Sequence, residues 1–200
     1  MKKSSRLEKW PKWVDRSLQG VTYWIGHRRC LYRDYPLAEG ALVAEISNLI
    51  YGNLRGAYSL QCEVMYKTLL PQQAAPDPNI LATKARADLV VAQKATDGNY
   101  TAKFAIEVKR AGAPTAQINS DLRRLAEVRR VHPDMRTFMF IVAEANRPKR
   151  FVDADGKSIL GKKKIPNSGG HYRVRRTWKA AHAFSHVESA QYACLVEVYP

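Results

Sequence analysis

Residues 85–109, ARADLVVAQKATDGNYTAKFAIEVK, decide how this chain folds. Two apolar runs, 85–92 and 102–109, flank Asp97–Gly98, and this pattern predicts two antiparallel strands joined by a hairpin. With Asp97 and Gly98 as a two-residue turn, the numbers of cross-strand partners sum to 195. Ala87 then meets Val108, Leu89 meets Ile106 and Val91 meets Phe104, a wholly apolar face suited to a core. The pairs 86/109, 88/107, 90/105 and 92/103 share the other face, which sets Asp88 opposite Glu107 with Lys109 beside them. A longer turn would shift the pairing, but the two-residue period keeps Glu107 and Lys109 on one face in any register.

Like charges directly opposed across a ladder are destabilising. A divalent cation bridging the two carboxylates supplies the compensation. Mg²⁺ suits such a place, because it takes one or two carboxylates and completes its shell with phosphate and water. Lys109 is placed to reach the same phosphate.

Working outward, 37–51 (LAEGALVAEISNLIY) has helical spacing, with Leu42, Ile46 and Leu49 as its apolar stripe. Glu45 lies beside that stripe, where a carboxylate calls for a partner. Residues 58–69 (YSLQCEVMYKTL) predict a strand, with Glu63 as a structural or surface residue, and PQQAAPDPN a loop. Beyond Gly112 and Pro114, Thr115 caps a helix to about Val131, striped by Ile118, Leu122, Leu125 and Val128. Residues 136–143 (RTFMFIVA) form a continuous apolar strand of the buried kind. The order helix, three strands, helix, strand defines an α/β or α+β core over 37–150.

Two basic extensions enclose that core. Residues 1–36 carry Trp10, Trp13, Tyr23, Trp24, Tyr32 and Tyr35 among lysines and arginines, and Val14, Leu18, Val21 and Ile25 recur at helical spacing. That stripe predicts a helix packed on the body; an aromatic surface for stacking bases is the alternative. Residues 151–200 extend the same domain, with a mobile basic loop at 161–170 (GKKKIPNSGG) between strands at 171–178 and 191–199. His182 and His186, four apart without an evident third ligand, read as solvent-facing or packing residues.

Composition sets the class of partner. Thirty-three Lys and Arg against 18 Asp and Glu leave a net charge of +15, and such self-repulsion points to a polyanion. Three scattered cysteines match neither a zinc knuckle nor a redox pair and predict reduced thiols. With neither a secretory segment after the basic start nor the ~18-residue apolar run of a membrane span, the expectation is a soluble cytoplasmic protein. Walker, nucleophile-elbow and dinucleotide motifs are lacking.

The helix with a glutamate, the strand with Asp88 (RADLVV), the strand with Glu107-x-Lys109 (FAIEVKR), then a helix and a strand resemble the PD-(D/E)xK nuclease superfamily of restriction-endonuclease-like fold. The resemblance covers roughly 37–143. It implies that Asp88 and Glu107 bind metal with the Val108 carbonyl, that Lys109 orients or activates the attacking water and stabilises the phosphorane-like transition state, and that Glu45 joins the catalytic set by assisting a second ion or its hydration shell. Ala87 stands where the family's namesake proline would be, a loosely kept position. Gln117 opens the following helix as an accessory polar residue. The implied activity is Mg²⁺-dependent hydrolysis of DNA, Mn²⁺ substituting, by an endonuclease rather than an exonuclease. Lys162, Lys163, Lys164, Arg173, Arg175 and Arg176 would grip phosphates beside the cut. Cutting both strands commonly requires a homodimer or a larger protein complex. Two alternatives stay open: a catalytically inactive DNA-binding or assembly protein on this fold, and a nuclease acting on RNA.

Overall fold

A computed structural model describes residues 10–31, 37–71, 75–81, 84–180 and 187–200. Tyr32, Tyr35, His182 and His186 lie outside the described residues. The first elements are α1 (Lys12–Leu31), α2 (Glu39–Asn53), β1 (Tyr58–Met65) and the single turn α3 (Tyr66–Leu69). Then come β2 (Arg86–Lys94), β3 (Tyr100–Arg110), α4 (Thr115–Val131) and β4 (Arg136–Ala143). The chain closes with β5 (Lys163–Lys164), β6 (His171–Lys179) and β7 (Tyr192–Tyr199). Among the described residues the seven strands form one open sheet in the order β1-β2-β3-β4-β7-β6-β5. The protein is therefore a mixed α and β domain with helices on both faces of a mostly antiparallel sheet.

The parallel β3–β4 pair requires a crossover, and α4 supplies it, pressing Ile118, Leu122, Leu125 and Val128 against Met139, Ile141 and Val196. On the other face α1 and α2 bury Val14, Leu18, Val21, Ile25, Leu42, Ile46 and Ile50 against Leu89, Ile106, Phe138, Phe140 and Leu195. This double cover is why 136–143 reads as unbroken apolar sequence. The α1 stripe packs as its spacing predicts; Trp13 is buried too, while Tyr23 is 73% exposed and stacks on His27. The last strand is interior to the architecture, since β7 lies between β4 and β6.

Five expectations are corrected. Thr115 begins α4 rather than capping it: Pro114 stands at the cap and no side chain bonds the first turn. Residues 161–170 are not all loop, since Lys163 and Lys164 form β5 and Ile165 is buried. Residues 58–69 are not one strand: the chain turns helical at Tyr66, whose N–H donates to the Ala85 carbonyl. The hairpin turn is not two residues. Lys94 pairs with Tyr100, Gly98 takes a φ of 86°, and Ala95 N–H reaches the Asn99 carbonyl, so five residues connect the strands. That shifts the register by one, and a bulge between Val91 and Ala92 shifts it back, giving Leu89↔Ile106 and Val91↔Phe104 as the two-residue turn required. Lastly, Ala87 does not share a face with Val108. Ala87 packs with α4's cluster and Val108 with that of α1 and α2, because the strand loses its alternation at Asp88.

Gly170 tests the packing of the β5–β6 connection on α4. A β-carbon there would sit 2.8 Å from the Ala126 Cβ and 2.9 Å from the Tyr199 carbonyl oxygen. Gly170→Ala is expected to cost ~1–3 kcal/mol. Gly169→Ala, with nothing within 4 Å of its added carbon, serves as the control. Equal melting temperatures for the two variants would show that this contact does not constrain the fold.

Candidate active site at the parting of β2 and β3

The β2–β3 ladder runs inward to Leu89↔Ile106. At the next step the Val108 N–H, which in a regular ladder would donate to β2's backbone, donates instead to Asp88 Oδ2 at 2.7 Å. A side chain has entered the ladder and the strands part around it. Across β2, the residue of β1 opposite Asp88 is Glu63, with a φ of 55°. Such a conformation costs a non-glycine residue of order 1 kcal/mol or more. The backbone is thus irregular on both sides of Asp88. Backbone N–H and C=O of one strand residue leave on the same edge, so the Val108 carbonyl also faces the gap.

Glu107 is 2% exposed on the α4 face. The Tyr66 hydroxyl donates to its Oε1, and its carboxyl lies against that of Asp88 within hydrogen-bonding reach. Burial, then the Asp88 charge, pushes the Glu107 carboxyl up to about 8, with Tyr66 and the more distant Arg124 opposing the rise. Glu107 is therefore largely neutral at pH 7, which is how two adjacent carboxyls coexist. Burial and the same glutamate hold the Tyr66 phenol well above its ordinary range.

Lys109 points to this side, as the two-residue period requires. Its Nζ lies 2.5 Å from Glu39 Oε1 and 3.3 Å from Asp121 Oδ2. Asp121 is 2% exposed and also paired with Arg124. Glu39 and Asp121 thus hold Lys109, Asp121 also holds Arg124, and Arg124 acts on the Glu107 carboxyl beside Asp88. The cluster is a locally acidic place in a chain of net charge +15.

The other sequence-derived residues divide. Glu45 is half-buried on α2 but six residues beyond Glu39, about 9 Å along the axis and turned about 120° from it. Glu39, not Glu45, is the helix carboxylate brought to Lys109. Gln117 is exposed, one turn before Asp121 on the same face of α4. The basic C-terminal residues are not beside the cluster. Lys163 and Lys164 form β5 at the far sheet edge, four strand spacings or about 19 Å from β3. Lys162 precedes them and Arg173 stands opposite Glu197. Arg175 Nε lies 3.1 Å from the buried Glu197, which also binds Arg129 and Arg136. Arg176 pairs with Asp15 and covers the Trp178 ring.

Sequence reasoning missed Tyr66, Glu39 and Asp121, although two of them carried a signal. Glu39 precedes Leu42 by three and Ile46 by seven, and Asp121 lies between Ile118 and Leu125 at helical spacing, so each falls in a buried stripe. Tyr66 had none, because its position depends on where β1 ends.

Two carboxyls, one kept neutral first by burial and then by the other's charge, beside a backbone carbonyl at an interrupted ladder are hard oxygen donors of the kind Mg²⁺ takes. Among the described residues no group of three or more His, Cys, Asp and Glu stands together as a metal cluster, so water would complete the shell. Among them, too, no helix is long and apolar enough to cross a membrane. Compared with protein-family models, curated proteins and solved structures, the chain matches none of them.

Proposed function

We propose that this protein is a metal-dependent nuclease of the restriction-endonuclease-like class that hydrolyses DNA internally at the Asp88, Glu107 and Lys109 cluster. The supporting observation is the entry of Asp88 into the β2–β3 ladder beside the Glu107 carboxyl. A ladder position given up to two adjacent carboxyls is costly unless a ligand uses them.

Asp88, Glu107 and the Val108 carbonyl would hold Mg²⁺. The ion would supply Lewis acidity and a more acidic bound water. Val108 N–H fixes one Asp88 oxygen and Tyr66 fixes one Glu107 oxygen, so both carboxyls are oriented before any ligand arrives. Lys109, held by Glu39 and Asp121, presents a positive charge at the rim where a phosphate would sit. Its two carboxylate partners favour phosphate stabilisation over service as the base.

Supercoiled plasmid, linear duplex and single strands, each incubated with Mg²⁺ or EDTA, test this reading. Nicking or linearisation is expected with Mg²⁺ only. Asp88→Asn keeps an oxygen for the Val108 N–H but removes the charge, and is expected to fall to the EDTA background. An Asp88→Asn protein that cuts like the parent would sink the assignment.

A further inference from the structure

Among the described residues β5 pairs with β6 only at His171 and Tyr172, so the upper part of β6 has an open edge. The 153–160 loop stands off that edge and encloses a cleft of about 720 Å³. Its walls carry Lys157, Arg176, Trp178, Ser158 and Leu160. The one carboxylate lining it, Asp153, accepts the N–H groups of Asp155 and Lys157 through Oδ1 and is occupied in its own turn. Arg176 lies 4.9 Å over the Trp178 ring while remaining 46% exposed, a stacking platform held from behind by Asp15, whose Oδ1 is 3.4 Å from Arg176 Nε and accepts from Trp178 Nε1–H. Leu160, 83% exposed, projects from the loop as an apolar tip.

The strand register gives the cleft's position. Lys109 pairs with Ile141, Ile141 with Cys194 and Cys194 with Thr177, a residue of the cleft wall. The cleft therefore stands level with Lys109, three strand spacings or about 14 Å away. Between them, at the ends of β3 and β4, a hollow of about 250 Å³ is lined by Arg110, Asn146 and Arg147.

We propose that this edge cleft binds one unpaired strand of nucleic acid flanking the cut, its phosphates on Lys157 and Arg176 and a base on the Arg176–Trp178 platform. The class of ligand follows from size and chemistry. A space of 720 Å³ is of the order that holds one drug-sized molecule, hence one or two nucleotides and not a duplex. Guanidinium planes and aromatic rings are surfaces on which unpaired bases stack. Fourteen ångströms spans about four stacked nucleotides at ~3.4 Å each. The proposal rests on the nuclease reading for its direction, from the cut site outward, but not for the binding itself.

The test is anisotropy with fluorescein-labelled oligothymidylates of 4, 8 and 12 nucleotides and a blunt 12-base-pair duplex, in EDTA so that cleavage plays no part. Affinity is expected to rise steeply between 4 and 8 nucleotides. Lys157→Glu/Arg176→Glu is expected to weaken 8-mer binding at least ~10-fold and flatten the log–log salt slope by about 1.4, two single-strand contacts at ~0.7 each. Lys163→Glu/Lys164→Glu makes the same change in net charge at the far edge and is expected to change affinity less than ~2-fold on that electrostatic scale. Lys157→Glu alone, on an exposed turn, gives the same direction should the Arg176 variant fold poorly. Equal losses in the two double variants, or an unchanged Lys157→Glu, overturn the cleft. Absent Mg²⁺-dependent cleavage, by contrast, overturns the nuclease reading and leaves this binding result standing.

Discussion

Glu107→Gln is expected to melt at a higher temperature than the parent at pH 9, to match it near pH 5, and to lose cleavage altogether. The Glu107 carboxyl is pushed from an ordinary 4.5 up to about 8, first by burial and then by Asp88. A folded-state value above the unfolded one means that the folded protein binds the extra proton. Its stabilising contribution is complete below 4.5, lost as pH rises from 4.5 to 8, and gone above that. The full excursion is on the order of 5 kcal/mol, a large part of a domain's stability. Glutamine removes the ionisation while its oxygen still accepts from Tyr66 and its amide donates to Asp88. The difference in melting temperature between variant and parent, taken from pH 5 to 9 without metal, isolates this one group. A flat difference across that range would contradict a neutral buried Glu107. Mg²⁺ or Mn²⁺ at pH 8.5 is expected to raise the parent's melting temperature and not the variant's, because a ligand must be deprotonated to bind.

Replacing Lys109 by methionine keeps the stem and removes the charge. Cleavage per folded molecule is expected to fall ~10²–10³-fold, the range for deleting one stabilising donor from a reaction site. Asp121, 2% exposed, keeps Arg124 as a partner, so the stability loss should stay below the ~3–5 kcal/mol of a fully orphaned buried charge. Asp121→Asn and Glu39→Gln separate placement from chemistry. Each is expected to lower the rate while single-turnover substrate affinity holds, since each touches Lys109 and not the two carboxyls. Lys109→Met cutting at the parental rate would remove Lys109 from the proposed reaction.

The net charge of +15 would attract a polyanion over the whole surface, whereas the proposed cation site is a small acidic cluster at one end of the sheet. The two proposed functions would be separable in salt: strand binding is expected to weaken steeply as counterions compete, while screening acts less on the buried pair.

Sequence alone determined the elements whose periods are unambiguous. The helix Thr115–Val131 and the strand 136–143 follow from a 3.6-residue stripe and an unbroken apolar run, and both stand where predicted save that Pro114, not Thr115, holds the cap position. It also placed Glu107 and Lys109 on one face, because alternation is a property of a strand and needs no partner. The inner hairpin register came out as expected through two departures that cancel, a longer turn and a bulge, and local patterning shows neither. Only the tertiary structure decided the rest. Asp88 reaches Val108 by breaking the alternation of its own strand, Tyr66 reaches Glu107 across 41 residues, and Lys109 meets Glu39 across 70. Which of two glutamates on α2 faces the cluster depends on how the helix is rotated against the sheet, and which basic residues lie near the cut depends on strand order. Both are set by the packing of distant side chains, which no window of neighbouring residues contains.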